Sequence, residues 1–196
     1  MKIDKSYYRE EDVIGLAEAL LGKILVTKIG NKISSGIITE TEAYNGINDK
    51  ASHSYGGRRT SRTEIMYAEG GKSYVYLCYG IHYLFNIVTG KKDIPQAVLI
   101  RSIQPVCGIT TILERRNSKK ITSQLCNGPG KVTSALGINI SHNALDLTGN
   151  KVWLEDDGIK IKKSEIFCGP RIGVDYAGED AKLPYRFWTD RSRDEY

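Results

Sequence analysis

The feature that most constrains this fold is a two-residue turn. Gly30-Asn31 sits between two strand-forming runs, residues 23–29 and 32–44. A turn dipeptide of that kind closes a β-hairpin, so the two runs are expected to lie antiparallel. The arrangement recurs in residues 73–79, the turn at Gly80 and the returning run 82–88. Residues 96–103 read as a further apolar strand, ended by Pro105, and 152–154, 159–161 and 185–188 as late strands. Three helical segments accompany them. Residues 12–21 place Val13, Leu16, Ala17 and Leu20 on one face and stop at Gly22. Residues 106–117 form the second. The third, 131–136, follows a turn at 127–130 and ends at Gly137. Strands and helices do not alternate regularly. The expected class is therefore α+β, with a twisted, largely antiparallel sheet and flanking helices in one domain over 1–196. Residues 45–64 predict a long irregular loop, and 1–10 and 190–196 predict flexible tails.

Composition narrows the function classes. Hydrophobic residues make up 40% of 196 and charged residues 26%, enough for a packed core with a solvated surface. No apolar run reaches the ~18–20 residues of a membrane helix, and residues 1–10 have no export-signal core. A cytoplasmic location is expected, nucleoid-associated in a prokaryote, or a nuclear one in a eukaryote. The net charge of +5 permits polyanion binding without demanding it. Arg58, Arg59 and Arg62 cluster in a glycine-led loop, and Lys119 and Lys120 follow Arg115 and Arg116. Such groups could neutralise phosphates, though solvated surface clusters look the same. Cys78, Cys107, Cys126 and Cys168 form no C-x-x-C pair, and His53, His82 and His142 no H-E-x-x-H pattern. Neither a metal nor a disulfide is expected.

Chemistry-bearing residues stand out one at a time. Glu42 closes a strand on which Glu40, Glu42 and Tyr44 share a face. A carboxylate beside an aromatic suits a general base against a stacking wall, although strand-end glutamates are usually solvated. His53 lies in the irregular loop, where a histidine is either a pocket donor or a surface group. Tyr74 and Tyr76 alternate with Val75 and Leu77, as in any half-buried strand. Tyr79-Gly80-Ile81 is more unusual, putting large apolar groups at a hairpin tip, which invites a binding role. Arg101 ends a buried strand and needs a carboxylate or a phosphate for a partner. Twelve tyrosines against three phenylalanines and two tryptophans favour surfaces that both stack and hydrogen-bond.

Taken together, these residues resemble the alkyladenine (3-methylpurine) DNA glycosylases. The resemblance rests on Glu40-Thr41-Glu42-Ala43-Tyr44, Ala51-Ser52-His53-Ser54, Gly56-Gly57-Arg58, Tyr74-Val75-Tyr76, Tyr79-Gly80, Phe85-Asn86-Ile87, Leu99-Ile100-Arg101 and Cys126-Asn127-Gly128-Pro129. It continues through Gly169-Pro170-Arg171-Ile172-Gly173-Val174, Tyr176-Ala177-Gly178-Glu179 and Tyr185-Arg186-Phe187. It spans about Leu16 to Trp188, in order and with family-like spacing.

The resemblance implies a globule like a formyltransferase C-terminal domain, with a protruding β-hairpin. It implies a base-excision-repair enzyme that flips an alkylated or deaminated purine out of duplex DNA and hydrolyses its N-glycosidic bond. Glu42 would activate the water, with Arg101 positioning it. Tyr44, His53, Tyr76 and Asn86 would form the base pocket, with Asn86 obstructing the amino group of guanine. Tyr79 would fill the gap left in the stack. Arg58, Arg59 and Lys131 are candidate DNA-backbone contacts. No lysine aligns with a catalytic position, which implies base removal without strand cleavage. No cofactor, metal or membrane is implied; damaged double-stranded DNA is the expected partner of a monomer. The loop Arg59-Thr60-Ser61-Arg62-Thr63 departs from the family, many members of which carry proline and asparagine at Ser61 and Thr63. Two other classes compete: a non-catalytic nucleic-acid-binding module and a hydrolase of free nucleosides. Glu42 argues against the first, Tyr79 and the arginine loop against the second.

Overall fold

The computed structural model describes residues 1–190. Its centre is an antiparallel sheet. The first hairpin is β1 (Ile24–Ile29) and β2 (Lys32–Tyr44), and the second is β3 (Ser73–Cys78) and β4 (His82–Thr89). They are joined through β5 (Gln96–Cys107), giving the order β3-β4-β5-β2-β1-β6, where β6 is Val152–Glu155. The strand β7 (Ile166–Gly169) pairs with β8 (Arg186–Thr189), and β8 pairs with β2. Beyond Ile37, β8 thus replaces β1 on that edge of β2. The flanking helices are α1 (Val13–Ala19), α2 (Ile109–Arg115) and α3 (Pro129–Leu136). Asp12 caps α1, its Oδ1 accepting from the Ile14 and Gly15 amides. Pro129 opens α3, and Gly137, at φ 73°, ends it. Among the described residues no helix is long and apolar enough to cross a membrane. The fold is the α+β sheet-and-helix arrangement expected.

The register assigns the two faces of the sheet. Tyr74 lies opposite Asn86, Asn86 opposite Leu99, and Leu99 opposite Glu42. A single row across four strands therefore carries Tyr74, Asn86 and Glu42. Because side chains alternate, Tyr76, Arg101 and Tyr44, each two residues along, join that face. The other face carries Ala43, Val75, Phe85, Ile87, Val98 and Ile100, all in the main core with Leu16, Leu20, Leu136 and Phe187. One face is thus committed to the hydrophobic core, which fixes the register.

Several expectations need correction. The strand expected to end at Pro105 continues to Cys107. Pro105 pairs with Gly36 at a register shift, where a proline's missing N–H does not interrupt a regular ladder. Gly36 allows the close approach, since a Cβ there would fall 2.8 Å from Ile103 Cδ1 and 2.9 Å from the Gln104 carbonyl. The second helix consequently starts later than expected, at Ile109, after left-handed Gly108. Residues 159–161 form no strand; β7, which the sequence reading did not find, is the late partner of β8. The N-terminal tail is packed rather than loose. Ile3 donates to the Leu154 carbonyl at 2.9 Å, and Tyr8 is fully buried with its carbonyl bound by the Gly90 amide. Of the expected C-terminal tail, everything after Asp190 lies outside the described residues.

Candidate active site

The polar row on the sheet floors a cleft of about 1110 Å³. The loop 45–64 walls one side and the hairpin of β3 and β4 another; Lys131 and the start of α3 also border it. Glu42, Tyr44, His53, Tyr76, Asn86 and Arg101 all line this one space, as does Tyr79.

Glu42 has no solvent exposure, yet its carboxylate is held from several sides. The Tyr44 hydroxyl donates to Oε2 at 2.9 Å, and the Ile172 amide donates to Oε1 at 2.8 Å. Arg101 Nη1 stands 3.3 Å from Oε1. Burial raises the Glu42 pKa above the ordinary carboxylate value, while Arg101, the Ile172 amide and Tyr44 pull it back without cancelling the rise. All three neighbours favour the ionised form. A carboxylate so placed is poised to take a proton.

Arg101 is also bound to Glu40, Nε to Oε1 at 3.0 Å, and Glu40 is shared with Arg186 at 3.1 Å. Burial works against the Arg101 charge, but Glu42 and Glu40 outweigh it and raise its pKa. The guanidinium is therefore a fixed positive charge beside Glu42.

The aromatic wall is built from His53, Tyr74 and Tyr76. The rings of His53 and Tyr76 lie 4.8 Å apart, edge to face, and those of Tyr74 and Tyr76 5.2 Å apart. His53 Nδ1 is 2.8 Å from the Tyr74 hydroxyl, and Nε2 is 3.4 Å from Arg62 Nη2. Arginine only donates, so Nε2 is assigned as the acceptor and Nδ1 as the protonated nitrogen. Asn86 is fixed by donation from Nδ2 to the Tyr74 carbonyl at 3.1 Å.

Burial, with Arg62 and Arg58 nearby, lowers the His53 pKa from 6.5 to about 4. The unfolded chain takes up the proton first as pH falls. Stability tied to neutral His53 is complete above pH 6.5 and is lost as pH falls toward 4, by up to about 3 kcal/mol. Denaturant titrations across this window are expected to show a steeper loss of stability in the wild type than in His53→Gln, which keeps the contribution of His142, also lowered by burial.

The hairpin tip is exposed: Tyr79 at 89% and Ile81 at 73%. Tyr79 has φ 50° and Gly80 φ 70°. Two consecutive positive φ values match a type I′ turn, which asparagine and glycine occupy most easily. A tyrosine there is a strained choice.

Arg58 and Arg59 lie outside the cleft lining. Arg59 is gripped by Glu64 at 2.7 and 2.9 Å and by Asp93 at 2.9 Å, and lies 4.5 Å from the Tyr67 ring centre. Lys131 Nζ donates to Gln124 Oε1 at 3.2 Å and lines the cleft. Residues given no place in the pocket from sequence also line it. Arg62 packs over the Tyr76 ring at 4.8 Å, and Tyr176, 70% exposed, also lines the cleft. The Ile172 amide is a backbone group, for which side-chain patterns give no signal. Among the described residues no three His, Cys, Asp or Glu side chains gather as a metal site.

Comparison with known proteins places the sequence in a family. The sequence profile of the family described as Methylpurine-DNA glycosylase matches residues 6–193. A Chlamydia felis protein is 46% identical over 186 residues, covering 94% of each chain. A Clostridium acetobutylicum protein is 42% identical over 195 residues, covering 96% of this chain and 94% of its own. A Bacillus cereus protein is 44% identical over 199 residues, covering 97% and 96%. All three carry the name "Putative 3-methyladenine DNA glycosylase". With the profile spanning nearly the whole sequence and relatives this similar end to end, the chain belongs to the methylpurine-DNA glycosylase family.

Proposed function

We propose that the protein removes alkylated and deaminated purines from duplex DNA by hydrolysis, with Glu42 activating the water, and leaves an intact abasic strand. The substrates are the 3-methyladenine, 7-methylguanine, hypoxanthine and ethenoadenine class. The supporting observation is a fully buried carboxylate at the floor of an aromatic cleft, held by Tyr44, Ile172 and Arg101.

A stacked base is out of reach of such a carboxylate, so the nucleotide must be everted, at a cost of a few kcal/mol. Stacking on Tyr44, Tyr76 and His53 returns part of that, about 1–3 kcal/mol per stacked base. Ring alkylation makes the purine cationic and a better leaving group, and electron-rich walls attract it. Asn86, held by its bond to the Tyr74 carbonyl, obstructs the exocyclic amino group of guanine in this reading. Tyr79 fills the vacated place in the stack. Glu42 takes the proton of a water as it attacks the sugar carbon, and Arg101 keeps that carboxylate ionised and oriented. Lys131 contributes charge to the DNA backbone.

Duplexes carrying one hypoxanthine, ethenoadenine or alkylated purine test this reading. Free base is expected to appear, with strand breaks only after alkali and no adduct trapped by borohydride. A trapped adduct would overturn the hydrolytic mechanism. Tight binding without base release would instead identify a nucleic-acid-binding module.

A further inference from the structure

We propose that Arg171 is a positioning residue for this hydrolysis, forming with Asp49 an internal clamp that holds the Ile172 amide on Glu42. The inference rests on the reading of Glu42 as the water-activating base.

Arg171 does not line the cleft, and its side chain has no exposure. Its Nη1 donates to the Ala43 carbonyl at 2.9 Å and to Asp49 Oδ2. Its Nη2 donates to Asp49 Oδ1 at 2.8 Å and to the Asp180 carbonyl at 3.1 Å. The guanidinium also lies 5.0 Å from the ring centre of Tyr44 and 5.2 Å from that of Tyr185. Asp49 in turn accepts from the Asn45 amide at 2.9 Å and the Ala51 amide at 3.0 Å.

The segments so tied are those that carry the chemistry. Ala43 sits between Glu42 and Tyr44. Asn45, Asp49 and Ala51 begin the loop that presents His53. The next residue after Arg171 gives its amide to Glu42 Oε1 at 2.8 Å. A planar, bidentate fork fixes both the position and the rotation of its own backbone, which a lysine ammonium does not. A buried ion pair adds little net stability compared with apolar packing, so its consequence here is geometric. Around Glu42 the other charged or titratable groups are Arg101 from β5, Glu40 and Tyr44 from β2 and Arg186 from β8, opposite Glu42 in the register and bound to Glu40, with Arg171 behind Tyr44. Of these contacts, the clamp governs the Ile172 amide.

The test is single-turnover excision from a hypoxanthine duplex as a function of pH. It compares wild type, Arg171→Met, Arg171→Lys, Asp49→Asn and the double variant Arg171→Met/Asp49→Asn. Arg171→Met is expected to lose about a hundredfold in rate, the scale of a misplacement near 1 Å, with duplex affinity unchanged. Its acid limb is expected to move to higher pH, because the carboxylate loses a donor. Arg171→Lys recovers part of the rate. Asp49→Asn shows the same limb shift, and the double variant is no slower than the slower single. If Arg171→Met does not fold, the limb of Asp49→Asn decides. A limb left at its wild-type pH, or a rate loss matched by lost DNA affinity, overturns the clamp. A wild type with no Glu42-dependent limb overturns instead the reading of Glu42 on which the clamp rests.

Discussion

Glu42→Gln is expected to bind lesion-containing duplex as well as the wild type while releasing base about 10²–10⁴-fold more slowly. The substitution keeps the shape of a fully buried side chain and removes its capacity to take a proton. The pH profile gives a second reading. Water activation needs the ionised carboxylate, so the wild-type rate is present above the Glu42 pKa and falls as pH drops through it. Burial places that limb above the ordinary carboxylate range. In Glu42→Gln the limb should vanish. A folded pKa above the unfolded one also means that the ionised group costs stability at neutral pH. The variant is therefore expected to melt no earlier than the wild type, which separates lost chemistry from lost fold. Equal rates in the two proteins would end the hydrolytic account of Glu42.

The ease with which parts of this site can be read from sequence follows from what fixes them. Strands β1 to β5 announce themselves, because hairpin turns and half-buried alternation are local properties. Once the register is known, the shared face of Glu42, Tyr44, Tyr76, Asn86 and Arg101 follows from the two-residue period alone. Pro105 misleads because its tolerance depends on the bulge that leaves Val106 unpaired, which appears only when β5 is aligned with β2. The strand β7 escapes because four residues with half-exposed Phe167 and Cys168 give no clear alternation. The packing of Tyr8 escapes because the groove it fills is built by Gly70, Gly71 and Gly90, far along the chain. The same distance hides the roles of Arg62 and Ile172. Arg62 reads as one of three clustered arginines, and only the folded loop sets it, rather than Arg59, against Tyr76 and His53.

Tyr79 offers the second large effect, and its backbone supplies a control that an alanine scan lacks. The side chain is 89% exposed, so the folded protein gains little from burying it. Its φ of 50° is unfavourable for a bulky residue, on the order of 1 kcal/mol. Asparagine adopts this conformation readily and suits a type I′ turn before Gly80. Tyr79→Asn is therefore expected to leave the protein as stable as the wild type or more stable by up to about 1 kcal/mol. Yet it removes the ring proposed to occupy the gap in the base stack. Excision from duplex should fall about 10–100-fold, the equivalent of losing roughly 1.4–2.8 kcal/mol toward eversion. Excision from a single-stranded substrate, where no gap forms, should change little. Strain kept at an exposed tip, where a commoner turn residue would relieve it, is accounted for only if the ring acts on the ligand. Tyr79→Asn with full duplex activity, or with equal losses on duplex and single strand, would leave the strained turn without that function.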